Sequence, residues 1–161
     1  MAAESSAPRI HRVPSVDEIN AFLGSLFQGA RNRCVEVSER HAVAVFEPDA
    51  DSLRPGGLIS GPTQFSMADA VLYYATFGAI GIEPMAVTSE LSIRFLRPAV
   101  GDRLWGRADL ETVGSRSIVG NVRVWTESPD KPCAVAQGTY ARPRIPWAEQ
   151  QRAEKQAQQQ Q

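Results

Sequence analysis

The stretch from Gly61 to Gly78 limits the possible folds more than any other part of the chain. From Met67 to Ile82 it reads MADAVLYYATFGAIGI, and Asp69 is the single charged residue within it. Pro62 suits the first turn of a helix, where a missing N–H costs nothing, and Ser60 or Gly61 can cap it. The spacing predicts one long helix that is apolar on every side. Such a helix cannot lie on the surface of a sheet with one face in water; a sheet must wrap around it.

The remaining chain supplies that sheet. Two short strands, or one bent hairpin, are expected from Arg33 to Pro48 around the polar turn Ser38-Glu39-Arg40, and Asp49 to Leu58 reads as a loop. After the helix the pattern has period two. Leu91, Ile93 and Phe95 alternate with Glu90, Ser92 and Arg94, and Ile118, Gly120, Val122 and Val124 alternate with Val119, Asn121, Arg123 and Trp125. Leu104–Val113 and Cys133–Ala141 complete four strands. Turns at Gly114-Ser115-Arg116 and Ser128-Pro129-Asp130-Lys131 make neighbours antiparallel. The expected class is α+β: a curved antiparallel sheet around one long central helix, the shape of the hotdog fold.

With 161 residues, one domain is expected. Its limits are residues 33–142, preceded by a leader (1–14) and a short helix from Ser15 to Phe27, and followed by a polar tail (143–161). Ser15 and Glu18 form a capping-box pattern there. A formal net charge of −1, with no block of like charge, argues against nucleic-acid binding. Cys34 and Cys133 lie far apart and read as reduced, half-buried thiols, and His11 and His41 are too scattered for a zinc site. The first eight residues carry no apolar signal region, and no run is long enough to span a bilayer. Cytoplasmic residence without membrane association is the expectation.

Asp69 is the candidate for chemistry. Its neighbours on the helix are Phe65, Leu72, Tyr73 and Thr76, so no basic residue of the same helix can pair with it; only Tyr73 or Thr76 offers a local hydrogen bond. The plainer reading is a charge near a helix start that reaches water. The dipole fades within the first turn, however, and Asp69 lies two turns in. The favoured reading is a carboxylate held in a cleft, desolvated and ready to act as nucleophile or general base. The free N–H of Gly61 at the helix start suits a developing oxyanion. Gly61 and Asp69 are eight residues apart, or ~12 Å along a helix, so they reach one carbon atom only if they belong to different subunits of a two-fold dimer.

Five segments resemble a known family. Pro55-Gly56-Gly57-Leu58-Ile59-Ser60-Gly61-Pro62 followed by Phe65-Ser66-Met67-Ala68-Asp69-Ala70 is similar to the central motif of hotdog thioesterases of the phenylacetate-degradation type. Ala86-Val87-Thr88-Ser89-Glu90-Leu91-Ser92-Ile93-Arg94-Phe95-Leu96-Arg97-Pro98, Val113-Gly114-Ser115-Arg116-Ser117 and Ala136-Gln137-Gly138-Thr139-Tyr140 continue the likeness, which covers about residues 33–142. The resemblance implies hydrolysis of acyl-CoA thioesters without metal or organic cofactor, in a homodimer that pairs into a dimer of dimers. It implies Asp69 as the catalytic acid, Gly61 as the amide that polarises the thioester carbonyl, and Thr88 as a hydroxyl that orients water. Ser89, Arg97, Gly114, Ser115 and Arg116 then fall in regions that contact CoA. Three positions depart from the pattern: Ser60 stands where many members have His, Pro62 replaces a second glycine, and Arg54 replaces a common Asn. Ser60 and Arg54 therefore become candidates for substrate binding, Arg54 toward a phosphate or an acidic acyl group.

Arg94, Arg97 and Arg116 suit phosphates by their planar forks, or else solvate the sheet. Phe65, Tyr73, Tyr74 and Phe77 read as core or as walls of an acyl pocket. Trp105 and Trp125 are out of phase with the apolar faces of their strands, as residues covering a contact between dimers would be. Two rival functions remain. A hydratase would need a histidine beside the carboxylate, and neither His11 nor His41 lies near the helix. A non-catalytic acyl-CoA-binding protein would keep the fold without turnover, and the changes at Ser60 and Arg54 point that way.

Overall fold

The computed structural model describes residues 11–27 and 31–159. Of the leader read over residues 1–14, the first ten lie outside the described residues. Helix α1 (Val16–Leu26) starts with the expected capping box: the Ser15 side chain accepts from the Glu18 backbone N–H and the Glu18 carboxylate accepts from the Ser15 N–H. Its buried residues, Ile19 and Leu23, belong to the common core. Asn20 ties it to the sheet, donating to the Cys34 carbonyl at 2.9 Å and accepting from the Cys34 N–H at 3.0 Å. Those two groups sit at a β-bulge and would otherwise lose ladder partners.

The main sheet uses β1 (Arg33–Val37), β2 (His41–Phe46), β5 (Val87–Phe95), β6 (Leu104–Val113), β7 (Ser117–Trp125) and β8 (Ala134–Ala141). Its order is β1-β2-β6-β7-β8-β5, antiparallel throughout, so β5 crosses to the far edge and pairs with β8. The loop expected over Asp49–Leu58 contains a single 3-10 turn (Ala50–Ser52) and most of a two-residue ladder, β3 (Leu53–Arg54) with β4 (Leu58–Ile59). Such short pieces carry no periodic signal in a sequence.

Helix α2 (Gly61–Ile80) runs along the concave side and touches all six strands. Its buried residues lie on every side from Met67 to Ala79, which is the hotdog arrangement expected of an unbroken apolar helix. The helix comes close to the sheet because glycines leave room for it. Leu72 fits between Gly120 and Gly138, which face each other across β7 and β8; a Cβ on either would lie within 2.7 Å of a Leu72 methyl. Near the helix end a Cβ on Gly78 would stand 1.9 Å from the Ser38 carbonyl oxygen.

Helix α3 (Trp147–Gln158) places the polar tail against the outside of this body and buries none of its residues. It is held at its start, where the buried Glu83 carboxylate accepts the Trp147 N–H at 2.9 Å and the Trp147 ring meets Phe22 edge-on. Trp125 is covered within the single chain, opposite Trp105 in the β6–β7 register, so it does not supply the exposed dimer–dimer surface expected of it. Among the described residues no helix is long and apolar enough to cross a membrane.

Two glycine substitutions should move stability in opposite directions. Gly78→Ala forces a methyl into backbone and is expected to cost about 3 kcal/mol. Gly24→Ala, on α1 with nothing within 4 Å, should leave stability unchanged or raise it by up to about 1 kcal/mol. Urea unfolding of both variants beside the parent checks the pair.

Candidate active site

Asp69 projects from the third turn of α2 toward the edge of the sheet formed by β8 and β5. Thr88 and Tyr140 are direct cross-strand partners in that pair. The Thr88 hydroxyl donates to Asp69 Oδ1 at 2.6 Å, and the Tyr140 hydroxyl donates to the same oxygen at 2.8 Å. A β-bulge makes this possible. Leu91, Ile93 and Phe95 pair with Gly138, Ala136 and Ala134, so unbroken alternation would send Thr88 to the opposite face. The register shift between Thr88 and Glu90 inserts one extra residue and brings Thr88 back to the helix side.

The two residues expected to help Asp69 from its own helix do not reach it. Tyr73 donates to the Pro84 carbonyl at 3.1 Å and Thr76 to the Leu72 carbonyl at 3.0 Å. Tyr140 replaces them, a residue the sequence places only in the last strand. A strand residue's partner across the fold has no local spacing to betray it. Burial first, and then the Asp69 charge beside it, hold the Tyr140 phenol far above its ordinary pKa, so it stays a donor. Tyr73 stacks on Tyr140 with ring centres 5.5 Å apart, and its own pKa is pushed up to about 12, mainly by burial. Among the described bonds none is donated to Asp69 Oδ2. The carboxylate is half-buried in the single chain, less enclosed than the sequence suggests, because it sits beside the sheet's open edge.

The start of α2 forms the other half. Ser60 is the cap: its hydroxyl oxygen accepts the Thr63 N–H at 3.3 Å and shares a hydrogen bond with the Thr63 hydroxyl at 2.7 Å. Capping thus occupies Ser60, whereas no described acceptor takes the Gly61 N–H. A cleft of roughly 570 Å³ opens here, lined by Arg54, Gly61, Gln64, Phe95 and Arg97 among others. Phe95, read as an inward residue of its strand, is 53% exposed and lies against Gly61.

These two halves do not meet within one chain. Asp69 sits with the Val87–Thr88 end of β5 and Gly61 with its Phe95 end. The Gly114-Ser115-Arg116 turn is exposed and lies at the Asp69 end, since Ser117 and Val87 both pair with Ala141. Ser89 is the bulged residue, and its hydroxyl donates to the Thr139 carbonyl at 3.2 Å. Arg94 and Arg116 are exposed and are not gathered with Arg54 and Arg97 at the cleft. Tyr73, Tyr74 and Phe77 are core, while Phe65 is exposed one turn from Asp69. His41 opens β2 and bonds to Ser38 and Glu36, away from the site. His11, expected away from the helix, instead meets the Gly78 carbonyl at 3.0 Å, nine residues past Asp69. Cys34 and Cys133 are unlinked and fully buried, and burial pushes the Cys34 thiol up to about 11. Among the described residues no three His, Cys, Asp or Glu side chains gather as metal ligands.

Comparison with known proteins agrees with this fold. Residues 56–133 match the model of the thioesterase superfamily, a span that includes Gly61, Asp69, Thr88 and Arg97. No curated protein matches the chain in sequence. A protein of Silicibacter sp. TM1040 named as a candidate thioesterase is similar in structure, with a TM-score of 0.74 and 29% identity over 83% of this chain and 94% of that one. A variant of the phenylacetic acid degradation protein PaaI of Thermus thermophilus gives 0.62 and 23% over 76% and 99%. A thioesterase of Haemophilus influenzae gives 0.70 and 18% over 81% and 91%. The last two likenesses speak for the fold alone. With its helix wrapped by the antiparallel sheet, the chain has the hotdog fold, and over residues 56–133 it matches the thioesterase superfamily.

Proposed function

We propose that this protein hydrolyses acyl-CoA thioesters to free acid and CoA, as a homodimer, with Asp69 of one subunit facing Gly61 of the other. The observation that carries this reading is the division of the site along β5. An anchored carboxylate stands at one end of that strand and a free helix-start amide at the other, while the strand itself is the sheet's unpaired edge. Antiparallel pairing of β5 with its twin about Leu91 would oppose Val87 to Phe95 and bring each carboxylate to the other chain's amide. The exposed apolar residues support the pairing, since Phe65, Met85, Val87, Phe95 and Leu96 lie along this strand and the adjacent helix face.

In the proposed reaction the thioester carbonyl oxygen lies on the Gly61 N–H, which takes the negative charge that develops there. Thr88 and Tyr140 fix Oδ1 of Asp69, leaving Oδ2 to attack the carbonyl carbon or to take a proton from the attacking water. The Thr88 oxygen, having donated to Asp69, keeps lone pairs that can accept from that water and orient it. The C–S bond then breaks and CoA leaves as thiolate. On the direct-attack route, water then hydrolyses the acyl–Asp69 anhydride to the free acid and restores the carboxylate. Arg54, Arg97, Ser89 and the Gly114–Arg116 turn are the proposed contacts to the rest of the substrate. The name of the Thermus PaaI neighbour is compatible with an aromatic acyl group. A cytoplasmic location, and a tetramer built from two dimers, complete the proposal.

Three variants test it. Asp69→Asn should lower thiol release from acyl-CoA by at least about 10²-fold with fold and subunit mass unchanged; near-normal turnover would refute the assignment. Tyr140→Phe leaves Oδ1 with one donor and should lower it about tenfold. The double variant Phe65→Glu with Val87→Glu sets like charges on the proposed two-fold contact. Light scattering should then show the 17.6 kDa chain mass instead of a multiple of it, with activity lost; an active monomer would contradict the shared site.

A further inference from the structure

We propose that Gln64 is a specificity residue: its Oε1 accepts a hydrogen bond from an O–H or N–H of the substrate a few atoms from the thioester. This inference rests on the proposed thioesterase reading and names a feature of the substrate that the reading leaves open. Gln64 is one turn along α2 from Gly61, lines the same cleft and is only 5% exposed. Its Nε2 donates to the Ile59 carbonyl at 3.1 Å, which fixes the amide orientation, because a carbonyl oxygen can only accept. Oε1 is then left without a partner, and it is the one buried side-chain oxygen or nitrogen among the described residues in that state.

An unpaired buried acceptor is costly, and native folds keep few of them. Gln64 lines the cleft where the proposed reaction needs discrimination, together with Gly61, Arg54 and Arg97. The cover over Gly61 is the half-exposed Phe95 ring, with an atom 3.3 Å from where a Gly61 Cβ would stand. A thioester whose carbonyl settles on the Gly61 N–H moves that ring aside and brings its neighbouring atoms toward Gln64. A donor there completes the Gln64 hydrogen bonds. A substrate without one leaves the acceptor buried and empty, the situation in which sites built for hydrogen bonding reject analogues most strongly. Two parts of an acyl-CoA can supply the donor: a hydroxyl on the acyl chain, or the pantetheine amide N–H two carbons from sulfur.

Matched substrate pairs distinguish these sources. One arm compares a 3-hydroxyacyl-CoA with the same acyl-CoA lacking the hydroxyl. The other compares an acyl N-acetylcysteamine thioester with the thioester of an alkanethiol of equal length that has no N–H. In the native protein, kcat/KM should favour the donor-bearing member by about tenfold or more in one arm, and Gln64→Met should reduce that preference to within about twofold. Each ratio is taken within one protein sample, so a lower folded fraction in the variant cancels. Ratios near unity in both arms of the native protein, or a preference that survives Gln64→Met, overturn the proposal. Binding of the same pairs to Asp69→Asn is measured by calorimetry in parallel. If no thioester is turned over, the thioesterase reading fails, and the binding ratios still decide the role of Gln64.

Discussion

The arrangement depends on one contact: two hydroxyls, from Thr88 and Tyr140, meeting on a single oxygen of Asp69. A carboxylate on a helix that is otherwise apolar from Met67 to Ile82 would be unfavourable in an enclosed core. It is tolerated here because the sheet that wraps the helix ends beside it, and because the last two strands of that edge present donors to it. The same contact orients the carboxylate, with Oδ1 held and Oδ2 directed to no described donor. Packing therefore sets where the carboxylate stands, since the helix is brought to this depth by the glycines of β6, β7 and β8.

The sequence carried the fold well because its strongest signals are periodic. The long apolar helix, the capping box at Ser15 and the alternation of Ile118, Gly120, Val122 and Val124 each report a local geometry and a buried face, and each appears where expected. The motif around Gly61 and Asp69 was legible for the same reason, as two residues on one helix. What escaped is non-local. Tyr140 meets Asp69 across 71 positions of sequence, and nothing in the last strand's own pattern announces it. Thr88 is reached through the resemblance alone, because by alternation it has the wrong parity for the helix side unless a bulge intervenes, and a bulge depends on strand pairing. Phe95 reads as core by alternation yet is exposed, because its strand is an edge.

That edge strand links structure to the proposed chemistry. In this chain the carboxylate and the helix-start amide stand ~12 Å apart on one helix, too far to act on the same carbon. An open strand lined with apolar residues, running from one half-site to the other, offers a two-fold solution in which neither subunit holds a whole site. Ser60 and Arg54 fit this scheme in different ways. Ser60 is taken up by capping the helix, while Arg54 lines the cleft with Arg97.

Mixed dimers test the shared site most directly. Asp69→Asn removes the carboxylate, and Gly61→Pro removes the amide at a position where the extended Ser60 (ψ 153°) accepts a following proline. Each homodimer should be inactive. Unfolded and refolded together, the two should recover about a quarter of native activity, because half the dimers are mixed and each mixed dimer holds one intact pair. A mixture that contains mixed dimers and stays inactive would contradict a site built from both subunits.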